Sequence, residues 1–137
     1  MKIAAIDIGS NAARLLINEV KEPKKGKPEF IKLNLLRIPF RLGFDVFAYG
    51  EIGEERKKMV INSMKVFAQL MEIYGVEHYR AGATSAMRDA KNGKEIIDLV
   101  KRNQEYRLKL FLVMKKLRLS TKITLQKDST RISGIFI

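Results

Sequence analysis

Cysteine is absent from this 137-residue chain and histidine occurs once, as His78. Without cysteine there is no disulfide framework, no thiolate metal site and no thiol nucleophile. A single histidine leaves no imidazole cluster for a transition metal. No run reaches the roughly eighteen apolar residues that a membrane-spanning helix needs. The start, MKIAAID, meets an aspartate before any apolar stretch long enough for a secretory leader, so a soluble cytoplasmic protein is expected. Acidic residues are also in short supply, with 15 Asp and Glu against 27 Lys and Arg, a net charge of +12. Such a balance suits either a solvated basic surface or a partner carrying many negative charges.

The charge is uneven. Residues 102–137 hold nine Lys/Arg and two acids, a net of +7, whereas the preceding 101 residues hold eighteen and thirteen, a net of +5. With 46% hydrophobic residues the chain can bury one core. Two regions of different character are therefore expected: residues 1–101, and a basic tail over residues 102–137.

Lys2 to Asp7 and Ala12 to Val20 read as strands, each an apolar run bounded by turn residues. The charged loop KEPKKGKP (Lys21–Pro28) is a hairpin tip, and a third strand continues from Phe30 to Ile38 before Pro39. Gly43 and Gly50 mark the onward connection. Met59, Val60, Met64, Phe67, Leu70, Met71 and Tyr74 recur at helical spacing, which predicts a helix over Glu54–Tyr74 that stops at Gly75. A further strand is expected over Val76–Ala83, then the small polar run GATSAMRDAKNG, then a helix over Gly93–Arg102 with Ile96, Ile97 and Val100 on one face. Hairpins followed by helix, strand and helix predict an α/β fold, a mixed sheet with antiparallel hairpins and covering helices. His78 is expected to be an ordinary strand residue.

The stretch IAAIDIGSNAARLLI carries the clearest chemistry. A strand ending in Asp7 runs into Gly9, Ser10 and Asn11, and a second strand follows. That turn suits a phosphate held by backbone and short polar side chains, with a carboxylate where a hydrated metal ion could sit. The plain alternative is an ordinary hairpin turn. Further along, Thr84, Ser85 and Arg88 lie where a strand gives way to a helix, placing hydroxyls and a guanidinium near one point. There the alternative is a simple helix cap with Arg88 in solvent.

Three segments, AIDIGSNAARLLI, IPFRLGFDVF and ATSAMRDAKNGKEI, together resemble the exopolyphosphatase and guanosine pentaphosphate phosphohydrolase family. The resemblance covers about the first hundred residues. It implies the N-terminal part of an actin-like ATPase (ribonuclease H-like) lobe, from enzymes that remove terminal phosphate from polyphosphate or guanosine pentaphosphate with Mg²⁺ and are homodimeric when intact. It further implies Gly9, Ser10, Asn11, Arg41, Thr84, Ser85 and Arg88 as phosphate-binding residues and Asp7 near the metal. Arg41 and Gly43 match the family's RLG segment, where the bland reading is a loop arginine on a basic surface. Phe44 stands where an acidic residue is expected. Asn92 and Gly93 complete the third motif and are expected to shape its turn.

Beyond Val100 the family resemblance fails. The family signature IEIISGxEEAxxIY, whose glutamate is the expected general base, has no counterpart in RNQEYRLKLFLVMKKLRLSTKITLQKDSTRISGIFI. The tail's apolar residues fit neither a helical nor a strand period. A one-base frame shift accounts for it. The Met114 codon is ATG and Lys115 begins AA, so the shifted frame reads GAA, glutamate, whatever the wobble base. Permitted codons over Asn103–Thr121 can spell SGVSIEIISGDEEAEIIY, and those over Lys122–Phe136 can spell NHIAEGLNKDKWYLY. The expectation is a phosphohydrolase fragment, inactive because no catalytic glutamate is present, followed by an out-of-frame tail.

Two other classes remain open on the sequence. One is a non-catalytic basic module that binds polyanions; no helix-turn-helix, stacking aromatic series or zinc site points to specific nucleic-acid recognition. The other is a small interaction protein whose tail folds on a partner.

Overall fold

The computed structural model describes residues 1–23 and 25–102. Apart from Arg102, the expected tail, and with it the frame-shift reading, lies outside the described residues.

Three strands open the chain: β1 (Lys2–Ile8), β2 (Ala12–Lys21) and β3 (Glu29–Pro39). Two helices follow, α1 (Leu42–Tyr49) and α2 (Glu54–Tyr74), then β4 (His78–Ala83), α3 (Ser85–Asp89) and α4 (Gly93–Arg102). The strands form one sheet in the order β3-β2-β1-β4. β1 and β2 pair antiparallel around Gly9–Asn11, β2 and β3 pair antiparallel with a bulge at Ile17/Asn18, and β4 joins β1 in parallel. This is the mixed sheet the hairpin-then-helix order predicts.

Alternation along the strands decides which face is covered. Ile6 stands between Leu15 and Ala81, and Ile8 between Ala13 and Ala83, so these side chains share one face and enter the core. α2 contributes Val60, Met64, Phe67 and Met71, and α4 contributes Ile96. Phe67 and Ile96 are fully buried, so truncating Phe67 to alanine would cost about 3–5 kcal/mol. The opposite face aligns Asp7, Arg14 and Arg37 directly across β1, β2 and β3.

α2 occupies the span its apolar stripe predicts and ends at Gly75, whose left-handed backbone returns its N–H to the Glu72 and Met71 carbonyls. Met59 departs from the stripe and is exposed. Pro39 is the last residue of β3 rather than its stop, as suits a proline on an edge strand. β4 starts at His78, which is exposed, two residues later than the apolar run suggests.

Two short helices stand where the sequence predicts only connection. α1 begins at Leu42, takes in Gly43 and stops before Gly50, and α3 lies within the small polar run. α4 can follow α3 so closely because Gly93 has no side chain: a Cβ there would stand 1.9 Å from the Met87 carbonyl oxygen. The adjoining Asn92 side chain pairs with the Ile52 backbone, accepting from its N–H at 2.9 Å and donating to its carbonyl at 2.7 Å. The third motif thus shapes its turn and ties it to the segment before α2. Among the described residues, no helix is long and apolar enough to cross a membrane.

Candidate functional site

The two phosphate-type segments meet at one end of the sheet. Because β4 runs parallel to β1, the ends of both strands lie side by side, with Ile8 opposite Ala83. The residues just beyond, Ser10 and Ser85, therefore approach, and their hydroxyl oxygens are 3.4 Å apart. Thr84 braces this junction. Its backbone N–H and its hydroxyl both donate to the Ile8 carbonyl, at 3.0 and 3.3 Å. Thr84 occupies the N-cap position of α3 as the helix-cap alternative expects, but its hydroxyl bonds the Ile8 carbonyl and not the helix.

The β1–β2 turn is tightly closed. The Gly9 N–H donates to the Ala12 carbonyl at 2.9 Å, and a Cβ on Gly9 would stand 3.2 Å from that same oxygen. The turn's own carbonyls then hold the RLG segment. Asn11 accepts from the N–H groups of Phe40 and Arg41, both at 3.0 Å, and Ser10 accepts from Gly43 at 2.9 Å. These bonds draw Arg41 into a left-handed backbone at φ 51°, where it precedes α1. Arginine has no intrinsic preference for that region, and such strain is concentrated at binding sites.

Ser10, Asn11 and Arg41 consequently line one open groove together with Gly43, Phe44, Phe47 and Ala48. Arg56 of α2 ties the segment around Phe44 to the helix. The Arg56 guanidinium donates to buried Asp45 at 2.5 Å and to the Phe40 carbonyl at 2.9 Å, and it lies 5.7 Å from the centroid of the Phe44 ring. Asp45 also accepts from the Gly53 N–H at 2.9 Å. Arg88 is exposed on α3, three residues beyond Ser85.

Asp7 sits one residue before the end of β1. Partial burial pushes its carboxyl above the ordinary range, and Arg14, its cross-strand partner, pulls it partly back. A cation arriving beside it would favour the ionised form further. Among the described residues no group of three His, Cys, Asp or Glu side chains converges as a metal cage. A lone carboxylate fits Mg²⁺, which keeps most of its water and is commonly held by one or two carboxylates plus phosphate oxygens.

The Ppx/GppA phosphatase family profile matches residues 23–112. The chain belongs to the Ppx/GppA phosphatase family. Exopolyphosphatase 1 of Mycobacterium tuberculosis is 28% identical over 102 residues, which is 74% of this chain and 28% of that protein. The bifunctional 3-dehydroquinate synthase/phosphatase of Fusobacterium nucleatum is 34% identical over 95 residues, 65% of this chain and 14% of that protein. Among solved structures, the Aquifex aeolicus Ppx/GppA family member superimposes with a TM-score of 0.66 at 36% identity, covering 74% of this chain and 32% of its own. The exopolyphosphatase of Cytophaga hutchinsonii gives 0.64 at 28% identity, with 74% and 31% covered. The described sheet and helices are therefore part of the actin-like ATPase fold of Ppx/GppA proteins. The chain spans about a third or less of the length of each of these relatives.

The structure places Ser10, Asn11 and Arg41 along one groove and Ser85 beside Ser10, with Thr84 bracing the junction, whereas Asp7 and Arg88 are not among the groove's lining residues. Phe44 and Phe47 also line the groove and are not among the binding residues expected from the sequence. Their signal is the i, i+3 aromatic spacing in GFDVFAYG.

Proposed function

We propose that this chain carries the phosphate-binding half of a Ppx/GppA-type phosphohydrolase site, with Ser10, Asn11, Arg41, Ser85 and Arg88 as phosphate ligands. The observation that supports it best is the 3.4 Å approach of Ser10 and Ser85, which joins two family motifs 75 residues apart. The short side chains leave room for an oxyanion, and Arg41 and Arg88 supply positive charge near it. Gly9 keeps the turn tight. Asp7 is the residue that would hold Mg²⁺, which when bound neutralises charge on phosphate oxygens. The substrate class is a phosphoanhydride, polyphosphate or guanosine pentaphosphate, in the cytoplasm, with the homodimer of intact members as the working assembly.

Hydrolysis needs more than a cradle. A base must align water against the terminal phosphorus, and the family's glutamate segment is missing from residues 102–137. The reading is that the chain binds but does not hydrolyse, and that its coding frame slips near codon 102. Sequencing the coding DNA across codons 95–140 tests the frame. A GDEEA-encoding shifted frame is expected, and its absence refutes the slip.

The competing reading is a basic polyanion binder without a defined site. Titrating inorganic tripolyphosphate into the 137-residue protein with Mg²⁺ separates the two. One saturable site weakened by Ser10→Ala supports the cradle. Binding that falls steeply with salt and ignores Ser10→Ala supports the charge alone. Mg²⁺-dependent phosphate release by the pure chain would overturn the non-hydrolytic reading.

A further inference from the structure

The peptide bond that leads into Arg41 is held at both ends. Its N–H, that of Arg41, donates to the Asn11 carbonyl at 3.0 Å. Its carbonyl, that of Phe40, accepts from Arg56 Nε at 2.9 Å. The two bonds fix the peptide plane that sets the Arg41 φ of 51°, a strained value for a residue with a side chain. Arg56 belongs to α2 and is not among the groove's lining residues. Its other arm, Nη1, donates to Asp45, whose side chain is buried and whose second oxygen accepts from the Gly53 N–H at 2.9 Å. The guanidinium fork is thereby anchored by the acid on one side and aimed at the Phe40 carbonyl on the other.

We infer that Arg56 is a positioning residue of the phosphate cradle, holding the Phe40–Arg41 peptide so that Arg41 stays on the groove wall. The inference rests on the phosphate-cradle reading and adds a residue that lies outside all three motif segments. Arg56 acts through Arg41 and does not touch the ligand. Without the Arg56 bond the Phe40 carbonyl is free to turn. Rotation of that peptide lets Arg41 relax to negative φ and carries its side chain away from Ser10 and Asn11. Lysine cannot replace the fork. Its ammonium keeps the charge but does not reach Asp45 and the Phe40 carbonyl together in one plane. Arg56→Lys therefore removes the geometry and leaves the electrostatic attraction of the site in place.

The test is a double-mutant cycle, read by calorimetric titration of inorganic tripolyphosphate with Mg²⁺ into the full chain. Arg41→Ala should weaken binding roughly tenfold, as loss of a charge-assisted contact. Arg56→Lys alone should weaken it about fivefold, and no further when Arg41 is already alanine. In a Ser85→Ala background the same Arg56→Lys change should keep its full effect. A general loosening of the fold would instead lower binding in both backgrounds alike. Unchanged binding in Arg56→Lys, or an equal loss in the Arg41→Ala background, overturns the positioning role and leaves the cradle standing. Absence of a saturable site in the unaltered chain overturns the two together. Circular dichroism checks the fold of each variant. If Arg56→Lys does not fold, the pair Asp45→Asn and Arg56→Met, which leaves no buried charge unpaired, takes its place in the cycle. Failure of both to fold assigns Arg56 to stability alone and overturns the inference.

Discussion

The hydroxyl oxygens of Ser10 and Ser85 lie 3.4 Å apart, although the residues are separated by 75 positions in the chain. Parallel pairing of β1 with β4 produces this contact, since it brings the ends of both strands to one edge of the sheet. Two hydroxyls at that separation can both reach one phosphate oxygen. Ser10→Ala and Ser85→Ala should each weaken tripolyphosphate binding by about 1 kcal/mol, roughly fivefold. The double variant should lose less than the sum, because the pair acts on one ligand group. A calorimetric double-mutant cycle measures this, and strict additivity would mean that the two hydroxyls bind separately.

Arg41 holds a left-handed backbone without a glycine's freedom. Arg41→Gly should stabilise the fold by up to about 1 kcal/mol and at the same time weaken anion binding. Denaturant unfolding and ligand titration on the same variant read the two effects. Loss of stability would show that the side chain, rather than the backbone, secures the turn.

Gly93 has the opposite character. Gly93→Ala puts a methyl group 1.9 Å from the Met87 carbonyl, so α3 and α4 must part. Destabilisation of about 3 kcal/mol or more is expected, the upper end for an overpacked site. The unfolding midpoint in urea checks it.

How far these features are legible in the sequence depends on whether burial follows polarity. α2 is readable because Val60, Met64, Phe67 and Met71 are both apolar and buried, and Gly75 ends it with a left-handed residue. The β1–β2 and β2–β3 hairpins are readable for the same reason. α1 is not, because it buries Asp45 and exposes Phe44 and Phe47, the reverse of the expected pattern. α3 is only five residues long, too short for any period to show. At the site, the family resemblance places Ser10 and Ser85 among the candidates. Their contact follows from strand order, which local pattern does not encode. Thr84 is legible as a site residue, but its hydroxyl serves Ile8.

Tyr79 carries a buried hydroxyl with no hydrogen-bond partner among the described residues, and burial pushes its pKa up to about 12. Tyr79→Phe removes an unsatisfied polar group and should stabilise the chain by about 1 kcal/mol. A lower melting temperature for this variant would contradict that account of the β4 core face.

Asp7 links stability to binding. Burial raises its carboxyl pKa in the folded chain, so the folded state takes up the proton more readily than the unfolded state. The resulting stabilisation is present below the ordinary carboxylate pKa and is lost as pH rises through the raised value. At neutral pH the ionised side chain opposes folding, and Asp7→Asn should raise the melting temperature in the absence of metal. That gain should shrink toward pH 3, where both side chains are neutral.

The same variant gives the most direct test of the phosphate cradle. Tripolyphosphate binding to the 137-residue chain should be measured calorimetrically with and without Mg²⁺, for the unaltered protein and for Asp7→Asn. One saturable site that tightens with Mg²⁺, and a more stable Asp7→Asn protein that no longer responds to Mg²⁺, is the predicted result. An identical Mg²⁺ response in both proteins would contradict it.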